Sequence, residues 1–177
     1  MQMRRIAAMA AGAALAAWPA LGPGAGAAEQ ELELELAGTI SAAAGVAALG
    51  GDYAYLGDGP TLRVYDISDP AAPAAGGSVT LPANIYDIDV AGAVAYVAMD
   101  FDGLATVDVA DPAAPRLLGT FRTPGQALSV AVSGTTAAVT NRLSGLELVD
   151  VSDPAAPAAG GSYFAEGYAI AVAAGGG

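Results

Sequence analysis

Between Ile85 and Phe121 the apolar residues fall into four short runs separated by turn formers. Ile85 to Val90 alternates apolar with polar, and Ala91-Gly92 follows as a turn. Val94 to Met99 is a second run, closed by the loop Asp100-Phe101-Asp102-Gly103. Leu104 to Val109 is a third. Asp111-Pro112-Ala113-Ala114-Pro115 then gives a turn in which Asp bonds its own backbone and Pro fixes φ. Arg116 to Phe121 is the fourth run. Period-two alternation over such lengths predicts four β-strands joined by hairpins. Beyond the first 27 residues no stretch carries a helical period.

The pattern repeats. Asp69–Pro73, Asp111–Pro115 and Asp153–Pro157 are identical pentapeptides spaced 42 residues apart. Leu62–Asp66, Leu104–Asp108 and Leu146–Asp150 keep that period, as do Gly77, Gly119 and Gly161. Four antiparallel strands in a tandem unit of this length match one blade of a β-propeller. An immunoglobulin-like sandwich does not explain the period, because its strands are not repeated copies. The fold class expected is therefore all-β, with three four-stranded antiparallel blades at about 44–82, 85–124 and 128–164.

Leu146-Glu147-Leu148-Val149-Asp150, followed by Val151-Ser152-Asp153-Pro154, resembles the LVIVD repeat, named for its Leu-Val-Ile-Val-Asp strand. The resemblance covers roughly residues 36–174. It implies a propeller found in exported and surface proteins of bacteria and archaea, and it brings no catalytic residue set with it. Leu36–Ile40 reads as the outer strand of another blade, and 168–174 as the first strand of a next one. Propellers usually have four to eight blades. The expectation is an open arc that is part of a longer protein, with self-association through its exposed blade faces as the rival reading. Within the strand Glu29–Leu36, Glu31–Glu35 alternates by two and has one acidic face that would protect an edge.

The first residues add an export signal. Arg4-Arg5 precedes the uncharged apolar stretch Ile6–Leu21, and Ala25-Gly26-Ala27 is an Ala-x-Ala cleavage site. Residues 1–27 are read as a leader, 28–43 as a strand and linker, and 44–177 as the propeller segment. The expected location is periplasmic, extracellular or on the cell surface. No membrane span is expected after processing.

Composition narrows the chemistry. About a quarter of the 177 residues are alanine, so the 54% hydrophobic content overstates the core. The chain has no histidine, cysteine or lysine. That removes Ser-His-Asp and Cys-His catalysis, the usual zinc sites, Schiff bases and the P-loop lysine. The net charge is −12, and loss of Arg4 and Arg5 with the leader takes it to −14. Such a chain is a poor partner for nucleic acid.

Carboxylates remain. Asp66, Asp108, Asp150 and Asp69, Asp111, Asp153 occur in every unit, which points to turn geometry. Function is expected where the units differ, on the face shared by the loops between second and third strands and those between blades. Asp58, Asp100, Asp102, Asn141 and Arg142 lie in such loops and form the candidate binding set. Asp100-x-Asp102-Gly103 resembles part of a calcium loop but lacks its distal Glu, so Ca2+ is the one cofactor left open. Tyr55, Tyr65, Tyr86 and Tyr96 are expected to pack between blades. The function expected is a non-catalytic scaffold for an unidentified protein or surface ligand, basic or cationic in character. The alternative is a carboxylate-dependent, glycosidase-like hydrolase.

Overall fold

The computed structural model describes residues 39–40, 44–142, 144–164 and 168–174. The expected leader (1–27), the strand Glu29–Leu36 and the interblade loop 165–167 lie outside these residues. Among the described residues twelve strands form three sheets. Blade 1 comprises β1 (Val46–Gly50), β2 (Tyr53–Asp58), β3 (Thr61–Asp66) and β4 (Ala74–Thr80). Blade 2 comprises β5 (Asp87–Ala91), β6 (Val94–Ala98), β7 (Leu104–Asp108) and β8 (Arg116–Phe121). Blade 3 comprises β9 (Ala127–Ser133), β10 (Thr136–Asn141), β11 (Gly145–Asp150) and β12 (Ala158–Tyr163). Each sheet is an antiparallel meander in chain order, and the three make an open arc rather than a closed barrel.

Alternation within each strand builds two interblade cores. Ala95, Val97, Met99, Ala105 and Val107 of blade 2 face blade 1, where they meet Tyr55, Leu62 and Val64. Tyr96, Ala98 and Leu104 take the opposite face and pack on Val130, Ala137, Val139 and Val149 of blade 3. Blade 2 is therefore apolar on both faces.

A second device locks the blades at their outer edge. The third and fourth strands slip register at the same place in each unit, at Arg63/Tyr65, Thr106/Val107 and Leu148/Val149. The bulge brings a glycine to the outer strand, and the next blade's proline turn rests there. Gly77 N–H donates to the Pro112 carbonyl at 2.8 Å. At the second junction the Thr106 hydroxyl intervenes. It accepts from Gly119 N–H at 3.0 Å and donates to the Pro154 carbonyl at 2.5 Å. A Cβ on Gly77 would clash with the Ala113 backbone, and one on Gly119 would lie 2.8 Å from the Ala155 carbonyl.

Three details differ from expectation. The first strand of blade 2 begins at Asp87, because Ile85 and Tyr86 donate their N–H groups to Gly59 and Ala98 carbonyls outside the β5–β6 ladder. Tyr86 is exposed (41%), whereas Tyr55 and Tyr96 are buried between blades and Tyr65 is half-buried. Residues 168–174 are irregular rather than a strand, since no described strand pairs with them. They still hold the place of a next first strand. Val172 N–H donates to Ser129 Oγ at 3.3 Å, 43 residues away, as Val130 N–H donates to Asp87 across the same separation.

Because the junction depends on a missing Cβ, Gly77→Ala should lower stability by about 1–3 kcal/mol. Urea unfolding measures it, and an unchanged midpoint would show that the turn is not seated on this edge.

Candidate functional site

The carboxylates common to the units sit in their own turns. Asp66, Asp108 and Asp150 each accept the N–H two residues on, from Ser68, Ala110 and Ser152, at 2.8, 3.0 and 2.9 Å. Asp69, Asp111 and Asp153 accept from Ala71, Ala113 and Ala155, each at 3.0 Å. These are Asx turns, and after Asp69, Asp111 and Asp153 the proline at the next position sets the φ they need. Asp108 also takes a forked contact from Arg116, with Nε at 3.0 Å and Nη2 at 2.7 Å. Backbone donors hold the carboxyl groups of Asp66, Asp108 and Asp150 below the usual range.

The blade-specific residues divide into two kinds. Asp58 pairs with Arg63 at 3.6 Å and Asp102 with Arg122 at 2.6 Å, both exposed. Each pair is local to its own blade. Asp100, Asn141 and Arg142 instead come together at the junction of blades 2 and 3. Asp100 has a positive φ of 48°, unusual for a residue with a side chain. Its carbonyl accepts Ala127 N–H at 2.8 Å and its carboxylate accepts Gln126 Nε2 at 2.9 Å. Gln126 Oε1 accepts from Arg142 Nη1 at 3.2 Å, and its carbonyl accepts Arg142 N–H at 3.0 Å. The Arg142 guanidinium lies 5.5 Å from the centre of the Tyr168 ring.

Beside this chain lies Asn141, at the end of β10 and opposite Ala127 in the ladder. Its side chain is fully buried, and neither its amide nitrogen nor its carbonyl oxygen has a hydrogen-bond partner among the described residues. The corresponding place in blade 2 holds Met99, which is buried in the apolar core. A partnerless buried carboxamide costs about 1–3 kcal/mol, so this exchange works against stability.

Among the described residues no three acidic side chains gather as a metal ion would require. Asp100 and Asp102 turn to separate partners, so the Asp-x-Asp-Gly segment does not converge on one point.

Sequence reasoning missed four residues that matter. Gln126 and Tyr168 occupy the same position in successive units, where blade 1 has Asn84. Alignment of the interblade loops one residue further on would have found them. Asp87 and Asp89 join the first strands of blades 2 and 3. Asp87 accepts Ile88 N–H at 2.9 Å, Val130 N–H at 2.9 Å and Ser129 Oγ–H at 2.6 Å. Asp89 accepts Val90 N–H at 2.8 Å and Val132 N–H at 2.7 Å. Burial raises the Tyr96 phenol pKa, and the nearby Asp89 charge adds to the shift.

The family model for the LVIVD repeat matches residues 42–80, 84–123 and 124–165, most of the chain. The chain belongs to the LVIVD-repeat family. Its three matched repeats coincide with the three sheets, so the LVIVD unit here is one four-stranded blade. Comparison with curated proteins gives no match.

The turn carboxylates set an acid limit for this LVIVD-repeat chain. Their folded pKa values lie below the unfolded ones. The stability they contribute is thus fully present above the unfolded value of about 4 and is lost as pH falls through the folded one. Melting temperature should be flat near neutrality and drop below about pH 4. Replacing Asp66, Asp108 and Asp150 together by Asn should flatten that drop, and an unaltered acid profile would refute the assignment.

Proposed function

We propose that this LVIVD-repeat protein is an exported, non-catalytic binding scaffold that uses the loop face at the junction of blades 2 and 3. The partner is a polypeptide segment on a basic protein or surface. The partnerless Asn141 carboxamide carries the reading. One donor beside one acceptor matches a peptide group once the buried side chain turns out to the loop face, and a binding role explains why a destabilising residue stands where blade 2 has Met99. Support comes also from the contrast with the turn aspartates, which are committed to backbone donors. A net charge of −12 favours encounter with basic partners. Export rests on the basic start, apolar run and Ala-x-Ala site of residues 1–27.

The proposal is tested by binding, turnover and processing. An oligoarginine peptide titrated into the purified protein should bind, more weakly as salt rises. Asn141→Met should melt at an equal or higher temperature yet bind roughly tenfold more weakly. Equal binding by wild type and variant would overturn the site. Turnover of a chromogenic glycoside, abolished by Asp100→Asn, would overturn the non-catalytic reading. Protein recovered from expressing cells should begin near Ala28, and an intact Met1 on cytoplasmic protein would overturn export.

A further inference from the structure

The two ends of the arc carry the two halves of the junction that its middle uses twice. We propose that the outer face of blade 3 docks the leading face of blade 1 in a second copy of this chain, forming head-to-tail assemblies. The seat is the β12 edge at Gly161, and its occupant is the second copy's Asp69–Pro73 turn. This goes beyond the loop-face reading and shares with it only Tyr168, at the edge of that face.

At both filled junctions the same positions meet. From the preceding blade come the bulge glycine and an apolar residue at the end of the fourth strand, Gly77 with Val79 and then Gly119 with Phe121. From the following blade come the proline turn and a valine of the first strand, Val90 and then Val132. Blade 3 repeats the preceding half. Gly161 has open space where Gly77 and Gly119 are crowded, and Tyr163, in the place of Val79 and Phe121, is 70% exposed. Leu148 is exposed on the same face. Blade 1 repeats the following half. Leu49, in the place of Val90 and Val132, is 53% exposed.

Surface that is self-complementary but sits at opposite ends of one molecule makes a heterologous contact, which propagates. In the filled junctions the first strands also lie side by side, a place held after blade 3 by Tyr168–Ala174. That segment has no ladder partner and one hydrogen bond to β9, so β1 of the second copy displaces it. Acidic copies repel at low salt, and screening favours their contact.

The test is sedimentation of the full chain with two variants. Wild type should form dimers and longer species whose proportion grows toward roughly 1 M salt, where repulsion is screened within a few ångström. Tyr163→Asp and Leu49→Asp should each be monomeric with unchanged melting temperature. Mixed, they should form a 1:1 complex and nothing larger, because one intact head meets one intact tail. Should Tyr163→Asp not fold, Leu148→Glu replaces it. Dimers of either variant alone would mean a like-with-like contact and would overturn the proposal. A wild-type monomer at every salt concentration would overturn it too. In that case, a lowered melting temperature of Tyr163→Asp would show the face to be covered from within the same chain.

Discussion

A proline turn resting on a glycine edge sets how one blade follows another in this molecule. Each half of the contact is local chemistry. Asp and Pro shape the turn, and a register slip between the third and fourth strands presents the glycine. Neither half has value alone, since the turn exposes carbonyls and the glycine exposes an N–H. Joined, they satisfy a backbone pair and bring the apolar faces of two sheets into register. The blade-to-blade geometry thus follows from one repeated short segment. The second junction shows how much variation this tolerates. Thr106 puts a hydroxyl between the N–H of Gly119 and the carbonyl of Pro154, and the seat survives with one more link.

The inner edge poses a different problem. First strands pair on one side only, and half their N–H groups have no ladder partner. Asp87 and Asp89 supply acceptors to both neighbouring first strands at once, with one oxygen for β5 and the other for β9. Blade 1 has Val46 and Ala48 at the corresponding places, so its junction relies on apolar packing instead. Acids that look out of place in an apolar strand are there for edge hydrogen bonding.

These cases show why some of the molecule was legible in the sequence and some was not. Blades, hairpins and turns rest on residues within a few positions of one another, and a 42-residue repeat reports them three times. Asp69–Pro73 could be read as a turn because its hydrogen bonds close within three residues. The partners of Asp87 and Asp89 lie 42 or 43 residues away, and no local pattern announces them. Tyr86 was misjudged for a related reason. Alternation predicts which face a residue takes only inside a ladder, and Tyr86 lies just before one. Of the candidate site, Asp100, Asn141 and Arg142 were found by their departure from the repeat. Gln126, which ties Asp100 to Arg142, was not, since its role depends on a side chain reaching across a blade junction.

Departure from the repeat is also what separates the loop face from the rest of the arc. Where the units agree, side chains are spent on backbone donors, and their carboxylates have no free geometry to offer a partner. Where they disagree, two costs appear at one junction. Asp100 holds a positive φ, and Asn141 buries an amide that nothing answers. A repeat that already supplies Met99 at the Asn141 position has a stable solution available. Neither cost is needed for blade packing, since the first junction forms without them. Strain and unsatisfied polarity concentrate where a structure is shaped by something other than its own stability. On that ground the junction of blades 2 and 3 stands apart from the three acidic turns, although the turns hold more charge.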